Sequence, residues 1–153
     1  MTSALTDPDT DRMPSDADML EAYLSSAYRL IDLARSTGDA STSIIIRACP
    51  AWNVRDLLSH VTSIGSRTLG RAAQIEDVQE WIDHEVAVRA DKTVEEVAQE
   101  FEALLPDVKA ALTGRNPYPL VVDITTHEHD LRDSLGADAV SYTHLTLPTN
   151  REV

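Results

Sequence analysis

The chain has little that would staple, flatten or anchor it. One residue of 153 is a cysteine, Cys49, so no intrachain disulfide can form and the fold must rest on a buried core. Five glycines and an aromatic content of 5% supply too few turn formers and strand formers for a small β-barrel or sandwich. No apolar run approaches the ~20 residues of a spanning helix, and none has the form of a signal-peptide core; a cytoplasmic protein is the expectation. Positive charge is also scarce. Thirteen Lys and Arg against 26 Asp and Glu leave a net charge of −13, a field that repels phosphate backbones and anionic bilayers. Nucleic acid and membrane are thereby set aside as partners, which favours a small molecule or a protein; the oligomeric state is left open.

What is present is helical. Apolar residues make up 42% of the chain, enough for one core, and the length suits one bundle-sized unit. Residues 1–14, with Asp7, Pro8, Asp9, Asp11 and Pro14, have almost nothing to bury and are expected to form a disordered acidic arm. Ser15 then caps a helix in which Met19, Leu20, Tyr23, Ala27, Ile31 and Ala34 keep helical spacing until Gly38. Ile44, Ile45 and Ile46 read as an extended linker, because no second strand signal lies nearby. Asn53, with Asp56 three residues on, caps a second helix running to about Ala73, and Ile75 to Arg89 reads as a further helical stretch. Thr93 and Glu96 form the capping box of the next helix, which Pro106 should kink or break. Gly114 ends it, and Asn116 and Pro117 restart the chain as cap and first helical residue.

The last helix carries the chemistry. At roughly 100° per residue, Leu120, Ile124, Leu131 and Leu135 form its apolar stripe, and Asp123, His127, Asp130 and Ser134 a polar row along the edge. A carboxylate and an imidazole at i and i+4 can share a divalent cation if a third ligand arrives from a facing helix, and His60, at the edge of the second helix's stripe, is the candidate. The same spacing also serves a surface pair, and a boundary histidine also serves as a group bonded to a carbonyl; the residues alone leave both readings open. Asp130, one turn beyond His127, either orients an imidazole or is an exposed carboxylate. Glu128 and His129 project to other faces and read as surface or flank groups. Trp52 reads as a core anchor, and Cys49 as a small buried hydrophobe rather than a ligand.

Two segments carry a family likeness. Cys49-Pro50-Ala51-Trp52-Asn53-Val54-Arg55-Asp56-Leu57-Leu58-Ser59-His60 and Asp123-Ile124-Thr125-Thr126-His127-Glu128-His129-Asp130-Leu131-Arg132-Asp133-Ser134-Leu135-Gly136 together resemble the N-terminal domain of the mycothiol-dependent maleylpyruvate isomerase family, within the broader DinB-like four-helix bundles. The likeness spans roughly residues 15–138. It implies an all-α, up-and-down four-helix bundle holding a divalent metal, usually zinc, on the positions of His60, Asp123 and His127. The acid is commonly Glu in that family and is Asp123 here, shorter by a methylene, so the helices would have to approach more closely.

The resemblance also implies an activity. Three ligands leave a fourth position for mycothiol or another low-molecular-weight thiol, held as the nucleophilic thiolate, which adds to the cis double bond of maleylpyruvate, allows rotation and leaves again; relatives may transfer the thiol to another small electrophile. The competing reading is a non-catalytic helical binding or sensing module whose metal site is structural or vestigial. Some family members continue into a C-terminal domain, whereas here the recognisable sequence stops near Asp138. The stretch Ser141-Tyr142-Thr143-His144-Leu145-Thr146-Leu147-Pro148-Thr149 resembles translated adapter sequence, so residues 139–153 are expected to be non-native, with His144 no ligand, and the bundle to be a fragment.

Overall fold

The computed structural model describes residues 13–137; most of the expected arm at 1–14 and all of the tail at 139–153 lie outside the described residues. Five helices follow one another: α1 Asp16–Thr37, α2 Val54–Thr68, α3 Val78–Ala87, α4 Val94–Leu112 and α5 Tyr118–Leu135, with a 3-10 turn at Gly38–Thr42 after α1. Among the described residues there is no strand, only one isolated bridge between Ile45 and Asn53. No helix among them is long and apolar enough to cross a membrane.

The starts of the helices follow from side chains that satisfy otherwise unpaired backbone N–H groups. Ser15 with Asp18, Asn53 with Asp56 and Thr93 with Glu96 form reciprocal capping boxes, and Asp77 caps α3 by accepting from the Glu80 N–H. α5 starts one residue later than its sequence suggests: Pro117 takes the cap position, and the Asn116 side chain accepts from the Tyr118 N–H instead. It ends at Gly136 with φ of 67°, a left-handed conformation that glycine adopts without steric cost.

α1, α2, α4 and α5 enclose one core, in which Tyr23, Leu30, Ile31, Leu57, Leu58, Phe101, Leu105, Ile124 and Leu131 are almost wholly buried. Pro106 lies inside α4 without breaking it. Phe101 and Leu105 before the proline and Val108 and Leu112 after it all enter the core, and burial of such side chains, about 1.5–3 kcal/mol each, offsets the roughly 3 kcal/mol that an interior proline costs.

The order of contacts gives the helix directions. Arg55 reaches the Lys92 carbonyl, Gly65 lies against Phe101 and Val108, and Arg71 pairs with Asp107; both chains advance together, so α2 and α4 are parallel. The simple up-and-down order expected for four helices does not describe this pair. The return path is the segment that contains α3, which is shorter than the expected stretch and starts only after α2 has ended at Thr68 rather than near Ala73. α3 is anchored by fully buried Trp81 and by a chain of charges: Glu85 accepts from the Ala73 N–H, Arg89 bridges Glu85 and Glu100, and Lys92 joins Glu100. α5 runs antiparallel to α2, since the Arg47 N–H just before α2 donates to Ser134 near the end of α5 and His60 within α2 faces Asp123 near its start. The Ile44–Ile46 segment is the linker expected: Ile46 N–H donates to the Trp52 carbonyl and Val54 N–H to that of Ile44, a clasp that delivers Trp52 and His60 to the face of α5.

Candidate metal centre

His60, Asp123 and His127 meet where α2 crosses α5. Each offers one atom to a group whose members all lie within 4.8 Å of one another. His60 Nε2 is 3.6 Å and His127 Nε2 3.4 Å from the same oxygen, Asp123 Oδ1, and the two imidazole centroids are 4.9 Å apart with the rings nearly perpendicular. Those separations are long for hydrogen bonds. They match the edge of a tetrahedron, whose corners stand about 3.3 Å apart when each ligand is about 2 Å from the cation. Two imidazole nitrogens and one carboxylate oxygen are also the donor set of zinc sites that keep an open position. The residues therefore fit a divalent cation in both geometry and chemistry, even with Asp123 in place of the longer glutamate.

Each imidazole is oriented differently. The outer nitrogen of His127, Nδ1, lies 3.2 Å from Asp130 Oδ2; with the proton on Nδ1, the ring donates to Asp130 and turns the Nε2 lone pair toward Asp123. The Ser134 hydroxyl, next in the polar row, donates to the backbone carbonyl of Asp130 and accepts from the Arg47 N–H. His60 has no such support: its Nδ1 is buried without a hydrogen-bond partner among the described residues. Packing fixes that ring, with Trp52 4.9 Å away between centroids and 6.1 Å from His127. Trp52, expected as a core anchor, is thus also the wall of the cluster.

Charge is arranged to match. Burial works to raise the Asp123 pKa, but its interactions with His127 and His60 outweigh burial and hold the carboxyl well below the usual carboxylate range. Burial likewise works to lower the His127 pKa, and Asp123 and Asp130 outweigh it and raise it. Asp123 is thus anionic at neutral pH, and a cation arriving at His127 competes with a proton. Burial, then the nearby charge of Asp130, pushes the Cys49 thiol up. Cys49 packs against the core and lies outside the three-atom group, so it behaves as the small hydrophobe its sequence position suggests.

The sequence misplaced one residue and passed over another. Glu128, read as a surface or flank group, is 0% exposed. Its carboxylate accepts from the Ser26 hydroxyl at 2.7 Å, from Arg29 Nε at 3.1 Å to both oxygens, and from Arg132 Nε at 3.0 Å. Two of those three partners, Ser26 and Arg29, lie on α1, about a hundred residues away, so the periodicity of α5 alone could not show it. His129 stands outside the cluster, as expected. Tyr23 drew attention only as an apolar position of α1; its hydroxyl is buried without a partner among the described residues, and its pKa is pushed up by burial and by the charge of Asp123. Nothing in the spacing links residues 23 and 123.

Neither the curated proteins nor the solved structures compared with the chain gave a match. The sequence profile of the mycothiol maleylpyruvate isomerase N-terminal domain does match, over residues 23–140, well over half of the chain and all three members of the cluster. With its helices, its cluster and that match agreeing, the chain belongs to the mycothiol maleylpyruvate isomerase N-terminal domain family.

Proposed function

We propose that the chain is a metal- and thiol-dependent enzyme domain of the maleylpyruvate isomerase type on a DinB-like bundle, with His60 Nε2, Asp123 Oδ1 and His127 Nε2 holding a divalent cation, zinc foremost. The observation that carries this reading is the spacing of three ligand atoms from two helices around one point, at 3.4 and 3.6 Å from a shared oxygen. A bound zinc supplies the chemistry by which a low-molecular-weight thiol, mycothiol in this family, is held as thiolate at neutral pH. The residues of the chain do the rest. Asp123 contributes the negative charge of the ligand set. Asp130 keeps the His127 proton on Nδ1 and so leaves Nε2 free to bind. Trp52 covers the two imidazoles and excludes water from one side of the cluster, which strengthens the electrostatics there.

The test is metal content followed by a thiol probe. Purified protein should take up about one zinc per chain, and with cobalt in its place the addition of mycothiol should produce thiolate-to-cobalt charge-transfer absorption. Maleylpyruvate turnover that depends on both metal and thiol would complete the assignment. Zinc uptake with neither a thiol band nor turnover would favour the binding or sensing module instead, and absence of zinc uptake would reject the site.

A further inference from the structure

The corner between α2 and α3 has a different chemistry. A cavity of about 340 Å³ is lined there by Arg67, Gly70, Gln74, Ile75 and Glu76 with two alanines, within the size range of small-molecule sites. Arg67 is exposed and has no carboxylate partner among the described residues, whereas Arg29, Arg35, Arg71, Arg89 and Arg132 are all bonded to carboxylates. Instead its guanidinium lies over the ring of Trp81, the carbon 4.7 Å from the centroid. Such stacking fixes the plane of a guanidinium and leaves its N–H edge available, the fork that matches a carboxylate.

The lining also offers donors. Trp81, 1% exposed, stands behind Arg67 and is not itself part of the lining. In the irregular segment lining the cavity the Ala73 N–H is taken by Glu85, and the backbone N–H groups of Gln74, Ile75 and Glu76 donate to nothing among the described residues. Glu76, the one carboxylate of the lining, forms no ion pair with Arg67 and acts as a like charge toward an incoming anion. On a chain of net charge −13 an anion needs a local cation to approach at all, and Arg67 presents one.

We propose that this cavity binds a small carboxylate, gripped in bidentate fashion by Arg67 with Trp81 as the plate behind it. Arg67 stands two turns beyond His60 on α2, about 10 Å along the axis, so the site can be tested independently of the metal cluster.

The chain has two tryptophans, and ¹⁵N-labelled protein will show two indole N–H resonances, assigned by loss of one in Trp52→Phe. Succinate, titrated at constant ionic strength against sodium chloride, should shift the Trp81 resonance saturably in the millimolar range and leave that of Trp52 in place. Arg67→Gln should weaken binding at least tenfold, and Arg67→Lys nearly as much because it keeps the charge but loses the planar fork. Glu76→Gln should tighten binding severalfold, a gain that a misfolded variant cannot mimic. An equal shift from chloride, no saturable shift from succinate, or full affinity in both Arg67 variants would each overturn the site.

Discussion

Two carboxylates on α5, little more than one turn apart, have opposite surroundings. Glu128 is enclosed by a hydroxyl and two guanidinium groups at 2.7–3.1 Å, so every charge brought out of water there has a partner. Asp123 faces two imidazoles at 3.4 and 3.6 Å, a gap too wide for good hydrogen bonds, beside a histidine nitrogen and a tyrosine hydroxyl with none among the described residues. A closed network costs most when one member is removed, because the remaining charges are stranded. An open one leaves room for an ion. The first ties α1 to α5; the second brings three ligand-type atoms from α2 and α5 within 4.8 Å of one another.

The comparison breaks most forcefully at Glu128. Glu128→Ala strands Arg29 and Arg132 and leaves a void between α1 and α5, so the loss should be about 3 kcal/mol, the low end for a broken buried pair because Arg29 is a third exposed. Urea unfolding of the metal-free protein will read it as a lower midpoint, and an unchanged midpoint would show that the network contributes little. At Asp123 the dependence reverses: stability should come from the ligand. Zinc at about a hundred times its dissociation constant should add roughly 2.7 kcal/mol to the wild type, and His127→Ala, which removes one of three ligands, should lower zinc affinity by an order of magnitude or more and abolish about half of that gain or more. Equal stabilisation of the wild type and His127→Ala by zinc would sink the assignment of the cluster.

The contrast also explains what could be read from the sequence. Caps are local, so Ser15 with Asp18, Asn53 with Asp56 and Thr93 with Glu96 declare three helix starts within four residues each. The Asp123, His127, Asp130 and Ser134 row is likewise local, because helical spacing alone aligns it. The edge of its own stripe made His60 a candidate for that row but left the carbonyl-bonded reading open, and only the family likeness favoured the ligand, since α2 and α5 meet only through the fold. Glu128 was misread for the same reason: from α5 it looks like any outward glutamate, and only α1 makes it internal. The parallel course of α2 and α4 was hidden as well, because it depends on α3, whose boundaries are set by Trp81 and the Glu85–Arg89–Glu100 chain rather than by a strong period of its own.

The smallest effects concern two neighbours of His127, Asp130 and His129, of which only the first touches its ring. Asp130 touches the His127 outer nitrogen at 3.2 Å; Asp130→Asn keeps an acceptor of the same shape but loses the charge that favours the proton on Nδ1, and zinc affinity should fall about tenfold, the low end for partners that orient a ligand. His129, two residues from His127 and outside the cluster, should change affinity by no more than about twofold when replaced by alanine, as substitutions away from a site generally do. Competition against a chromophoric chelator will rank the two. If His129→Ala cost as much as Asp130→Asn, the loss would reflect general disturbance of α5 rather than the orientation of one ring. If Asp130→Asn cost nothing, packing against Trp52 would be sufficient to aim His127, as it already is for His60, whose outer nitrogen has no partner to lose.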